Sequence, residues 1–72
     1  MKFNYYPDTD SLYIDLTERK SVESIEISPG VVVDYDENGN IVGIDIDKAS
    51  KKVNISKLET HSLPLDNISM IA

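Results

Sequence analysis

The sequence predicts an α+β domain in which a five-stranded antiparallel meander sheet carries a short C-terminal helix and an apolar tail packing on one face. Three observations lead there. Apolar and polar residues alternate in five successive segments, turn formers separate those segments, and the alternation stops after Asp47. Period-two alternation is the pattern of strands with one buried and one wet face. The 72 residues therefore read as one domain, with a β-meander over 1–47 and a short helix with its tail over 48–72.

The first strand has Phe3 and Tyr5 alternating with Asn4 and Tyr6, and Pro7-Asp8-Thr9-Asp10 supplies turn chemistry. In Ser11 to Thr17, Leu12, Ile14 and Leu16 recur at every second position. A four-residue loop sets Tyr5 opposite Leu12 and Phe3 opposite Ile14, so the large apolar groups share a face. Glu18 to Ser21 is a polar connection to a third strand, Val22 to Ile27. A three-residue loop at Ser28-Pro29-Gly30 then pairs Ile27 with Val31 and Ile25 with Val33.

The next hairpin, VVVDYDENGNIVGIDID from Val31 to Asp47, folds back at Asn38-Gly39, where glycine takes positive φ at no steric cost. With Glu37 to Asn40 as the loop, Tyr35 faces Val42, Val33 faces Ile44 and Val31 faces Ile46. A three-residue loop would instead pair Asp34 with Val42 and carry charge into the apolar face. One open sheet cannot shield that face alone, so the remaining chain is expected across it. Asp47 or Ser50 is the expected cap of a helix through Lys48 to Lys52, and Asn54 that of a further turn or two through Ile55, Leu58 and Glu59. Pro64 ends any helix at Leu63. The tail then presents Ile68, Met70 and Ile71, which either dock on their own sheet or reach a partner.

Composition narrows the functional classes. Seven basic against thirteen acidic residues give a net charge of -6, the wrong sign for a protein that neutralises phosphates, so no direct nucleic-acid contact is expected. A basic protein surface suits that field better. No signal-like run and no membrane-spanning stretch is present, which points to a cytoplasmic protein with no membrane partner. Without cysteine there is neither a disulfide nor a thiolate metal site to reinforce a small core. A second copy, as in a homodimer, or another partner would complete it.

Catalytic parts are missing. His61 is the only histidine, with no serine elbow and no glycine-rich phosphate loop, so neither an enzyme nor a cofactor is expected. Asp34-Tyr35-Asp36-Glu37-Asn38-Gly39 satisfies the D-x-D-x-N-G opening of a calcium loop, with Asp45 at the twelfth position. Its flanks are β-branched and alternating, however, whereas a calcium loop lies between helices. The acids read as turn formers, with no dedicated metal site, and weak cation binding at the Asp34 to Asn38 turn is the alternative.

Three blocks taken together carry a resemblance. Tyr5-Tyr6-Pro7-Asp8-Thr9-Asp10-Ser11-Leu12-Tyr13-Ile14, then Gly30 to Asp36, then Gly39 to Ser50 resemble domain of unknown function family 2283 over about residues 3 to 50. Its pattern has a Y-x-P-x-x-D-x-L-Y-I opening, a G-V-x-x-D-Y-D strand and a G-x-x-V-G-I-E-I-x-x-A-S close. Asp45 departs from it, a glutamate being usual there, and the chain after Ser50 lies beyond it. The resemblance implies a small protein of the kind suspected to be antitoxins, which bind a neighbouring toxin-like protein. A non-catalytic protein-interaction module is accordingly expected, its partner a small basic toxin-like protein. The expected contact residues are Leu63, Leu65, Ile68, Met70 and Ile71 in the tail, with Tyr6 and Tyr13 as aromatic anchors on the more polar sheet face. The alternative is a self-associating structural module.

Overall fold

A computed structural model of the chain describes residues 1–59, His61 and the strand Met70–Ile71. The strands are β1 (Lys2–Tyr6), β2 (Ser11–Asp15), β3 (Glu23–Ser28), β4 (Val31–Tyr35) and β5 (Ile41–Ile46), followed by the helix α1 (Ala49–Lys52) and β6 (Met70–Ile71). They form one sheet in the order β3-β4-β5-β2-β1-β6, antiparallel throughout except where β6 runs parallel to β1. With a helix of four residues, the domain is mostly β.

The meander order is corrected. β2 pairs with β5 rather than with β3, so a β1–β2 hairpin and a β3–β4–β5 meander meet at the β2–β5 seam. Apolar content explains the choice. The seam sets Leu12 against Ile46 and Ile14 against Ile44, while β3, with two glutamates and two serines among six residues, goes to the edge. Leu16 to Val22 must then cross the ends of β5 and β4, about 14 Å at ordinary strand spacing. Leu16 N–H donates to the Val42 carbonyl at the start of that crossing and Val22 N–H to the Tyr35 carbonyl at its end.

Register agrees with the alternation across most of the sheet. Tyr5 faces Leu12, Phe3 faces Ile14, Ile25 faces Val33, Val33 faces Ile44 and Val31 faces Ile46. Two pairings differ, each at a bulge. Ser28, not Ile27, opposes Val31, because Pro29-Gly30 makes a two-residue turn with Gly30 at φ 76° and Ile27 becomes the extra residue. The Pro-Gly sequence is that of a type II turn, whose twist does not match the strands, and a bulge absorbs the difference. At the other hairpin Tyr35 faces Ile41 rather than Val42, and the loop runs over five residues, Asp36 to Asn40.

The apolar face is covered only in its middle. Leu12, Val33, Val42 and Ala49 are buried, a Leu or Val in such a place contributing about 2 kcal/mol. Val53 to Leu58 lie over Phe3, Tyr5, Leu12, Ile14 and Ile46, leaving a partly open apolar cavity of about 230 Å³ between them. Val53 to Leu58 thus supply the expected cover over β1, β2 and β5. Met70 and Ile71 of the tail, expected across that face, instead extend the sheet beside β1 as an edge strand. Over β3 there is no such cover among the described residues, and Ile25 and Ile27, expected in the buried face, are 44% and 60% exposed.

Candidate functional site

Two clusters bring distant motif residues together. In the first, Asp10 sits at φ 53° at the end of the β1–β2 turn, a left-handed position that Asn and Asp tolerate better than most residues. Its Oδ1 accepts from the Tyr5 hydroxyl at 2.6 Å and from Ser50 N–H at 3.1 Å, while Oδ2 accepts from Ser50 Oγ at 2.7 Å. The Asp10 carbonyl also accepts from Ala49 N–H at 2.7 Å. Asp10 thereby satisfies the first amides of α1 from 40 positions away. Neither Asp47 nor Ser50 is the cap: Lys48 occupies that position at φ 51°, with no side-chain capping bond. The expected second helix after Asn54 is replaced by a turn in which Asn54 Oδ1 accepts from Ser56 N–H and Oγ.

The second cluster crosses the polar face. Tyr13 on β2 stands opposite Asp45 on β5, and Asp34 on β4 stands opposite Gly43. The Tyr13 ring passes over Gly43, where any Cβ would collide with the phenol, and its hydroxyl donates to Asp34 Oδ2 at 2.9 Å. Ser24 Oγ donates to Asp34 Oδ1 at 2.6 Å, so one polar chain links β2, β4 and β3 across β5. Burial, and then the bond to Asp34, push the Tyr13 phenol up to about 12. Tyr13 is therefore a structural brace within the sheet as well as an aromatic surface.

The calcium-like string divides between these tasks. Asp34 is held by Tyr13 and Ser24, whereas Asp36 accepts from Asn38 N–H and Asn40 N–H at 2.9 Å each and from Arg19 Nε at 2.8 Å. Backbone donation from Asn40 first, with Asn38 and Arg19, holds the Asp36 carboxyl below the usual range. Arg19 also ties the β2–β3 crossing to the loop it passes. Among the described residues no group of three or more His, Cys, Asp or Glu side chains is placed to hold a metal ion. His61 is exposed and lies 3.6 Å from Glu59.

Beside Tyr13 gather carboxylates that form no ion pair among the described residues, with Lys52 Nζ donating to the Asp47 carbonyl at their margin. Ser11, Glu26, Gly30, Val32, Asp45 and Asp47 line a shallow concavity. Burial, then Asp34 and Asp47, raise the Asp45 carboxyl above its ordinary 3.8. A group whose folded pKa is raised favours the folded state in its protonated form and penalises it once ionised. Asp45→Asn is expected to raise the melting temperature slightly at neutral pH, the effect being small because Asp45 is exposed and solvent screens its charge. The gain should vanish below pH 3.8, where both side chains are neutral. Melting curves at the two pH values check this, and an equal gain at both would refute it.

Of the expected contact residues, Tyr6 is 52% exposed at the end of β1, Tyr13 is braced as described, and Met70 and Ile71 pair with Phe3 and Asn4 as an edge strand. Leu63, Leu65 and Ile68 lie outside the described residues. Alternation did not reveal the roles of Asp10, Asp34 and Asp36, which lie in their hydrogen-bond partners. Among the described residues no helix is long and apolar enough to cross a membrane.

Fold and clusters define a small open-sheet domain whose turns and seam are fixed by hydrogen bonds between residues far apart in the chain. The chain belongs to the family described as protein of unknown function (DUF2283), whose model matches residues 2–50. That range contains both clusters. An uncharacterised protein of Methanocaldococcus jannaschii is 34% identical over 59 residues, covering 82% of this chain and 50% of the relative. The chain thus spans about half the length of that relative. No solved structure matches it.

Proposed function

We propose that this chain is a non-catalytic protein-interaction module that covers a small basic toxin-like protein in the cytoplasm. The observation that carries the reading is β3: every residue of it is exposed, and it places Ile25 and Ile27 on the surface of an acidic protein. Exposed apolar groups grouped on a sheet edge mark a contact surface, and a net charge of -6 favours a cationic one. The non-catalytic part is supported by the carboxylates already engaged with Tyr5, Ser50, Tyr13, Ser24 and Arg19. No buried side-chain polar atom among the described residues lacks a partner.

The test is capture by the tagged full chain from its own cells, followed by reconstitution from purified components. A small basic protein in stoichiometric amount, whose toxicity or activity falls on binding, is expected. Recovery of the chain alone, or of a partner left fully active, refutes the reading. The competing reading is that a second copy of the chain, rather than a basic partner, covers this strand. Mass action would then make the melting temperature rise with protein concentration, whereas the proposed module melts independently of it.

A further inference from the structure

We propose that β3 is a docking edge for an extended strand of the basic partner, one in which apolar and Lys or Arg side chains alternate. This inference rests on the interaction-module reading and specifies how the partner is held. β3 ends the sheet order, so its outer edge presents backbone N–H and C=O groups to an incoming strand. Four of its residues, Glu23 to Glu26, run in regular register with β4 ahead of the bulge at Ile27, a span of about 13 Å.

The two sides of that edge differ in chemistry. Ile25 lies on the apolar face opposite Val33, and Ile27, two residues on, is 60% exposed. On the other face are Ser24 and Glu26, with Asp34 and Asp45 further in along the sheet. Among the described residues the ion pairs are Arg19–Asp36, Lys57–Glu59 and His61–Glu59, so Glu23, Glu26, Asp34 and Asp45 have no cation. An added strand also alternates its side chains between the faces. Apolar residues would then extend the row of Ile25 and Ile27, and basic residues would stand beside Glu26.

The same charges select against a second copy. β3 has two glutamates and no basic residue, so two β3 strands laid together would concentrate carboxylates at the contact. A basic strand turns that repulsion into attraction.

The test uses the isotope-labelled full chain and a short synthetic peptide of alternating valine and lysine. A valine and glutamate peptide and a lysine and valine peptide interrupted by proline serve as controls, the latter keeping charge but losing strand pairing. Shifts confined to β3 and β4, slowed exchange of β3 amides, and affinity at least about tenfold weaker for both controls are expected. The Ile25→Lys/Ile27→Lys variant, changed at two exposed positions, should lose the peptide by a similar factor with its β1 and β2 signals unmoved.

Equal binding of the proline peptide, shifts centred on the cavity under Val53 to Leu58, absence of binding at millimolar peptide, or a wild-type dimer protected at β3 would each overturn the proposal. Failure here with stoichiometric capture of a basic partner by both wild type and the double variant removes the edge and keeps the module. Peptide docking at β3 without any partner captured from cells keeps the edge and removes the module.

Discussion

Asp10→Gly lowers the melting temperature by roughly 10 °C and exposes the Ser50 amide to exchange. Glycine is the informative replacement, because Asp10 sits at φ 53° and an alanine would add backbone strain to the loss of its bonds. Glycine removes the carboxylate and relaxes the backbone, so any destabilisation reports the bonds to Tyr5 and Ser50, less the cost of glycine's extra freedom in the unfolded chain. The effect should reach beyond the turn. Ala49 is wholly buried, and Val53 to Leu58, which cover the apolar face, follow directly from the helix that Asp10 anchors. If Asp10→Gly melts with the wild type and its Ser50 amide stays protected, the clamp has no such role.

The pH dependence has a definite sign. The Tyr5 hydroxyl first, then Ser50, hold the Asp10 carboxyl below its ordinary 3.8, and backbone donors do the same for Asp36. A depressed folded pKa gives stability that is present above the unfolded value and is lost as pH falls through the folded one. Wild type should therefore weaken in acid below pH 3.8. Asp10→Asn keeps the shape of the side chain, so its deficit should be the smaller one and should close over the same acid range.

Much of this was legible in the sequence because alternation reports faces. Phe3, Tyr5, Leu12 and Ile14 fix the first hairpin, and the pairs Val31–Ile46 and Val33–Ile44 fix the last. Strand order is a different quantity. Leu12 and Ile14 present the same apolar row whether they pair with β3 or with β5, and only the weak apolar content of Glu23 to Ser28 argues for placing β3 at the edge. The bulges at Ile27 and Val42 escape a period-two reading because each inserts one unpaired residue without altering the composition.

The acids were harder still. Asp34, Asp36 and Asp10 look alike as turn formers, yet one braces the sheet, one holds a loop and one starts a helix. Those partners lie 21, 2 and 40 positions away, and local pattern can anticipate only the nearest. The calcium-like string shows the consequence, since two carboxylates that look adjacent in the sequence are engaged with different partners.

Gly43→Ala should cost about 1–3 kcal/mol, although alanine is ordinarily the better strand residue and Gly43 has no unusual φ. The cause is steric and local: the new Cβ meets the Tyr13 hydroxyl and ring, so the ring must leave the sheet and release Asp34. Two readouts separate this from a general loss of packing. Spectroscopic titration in the wild type should show one phenol ionising at about 12, absent in Tyr13→Phe and moved toward 10.0 in Gly43→Ala. A raised tyrosine pKa also gives stability that is complete below 10.0 and is lost as pH rises towards 12, so wild type should lose part of its advantage over Tyr13→Phe in strong alkali. In a double-mutant cycle, Tyr13→Phe should then cost little further once Gly43→Ala has displaced the ring. Additive losses would mean that Gly43 and Tyr13 act independently, and the brace across β5 would fall. Non-additive losses would mean that the glycine is present for the tyrosine, and that the stiffness of the β2–β5 seam depends on a side chain crossing a strand that offers none of its own.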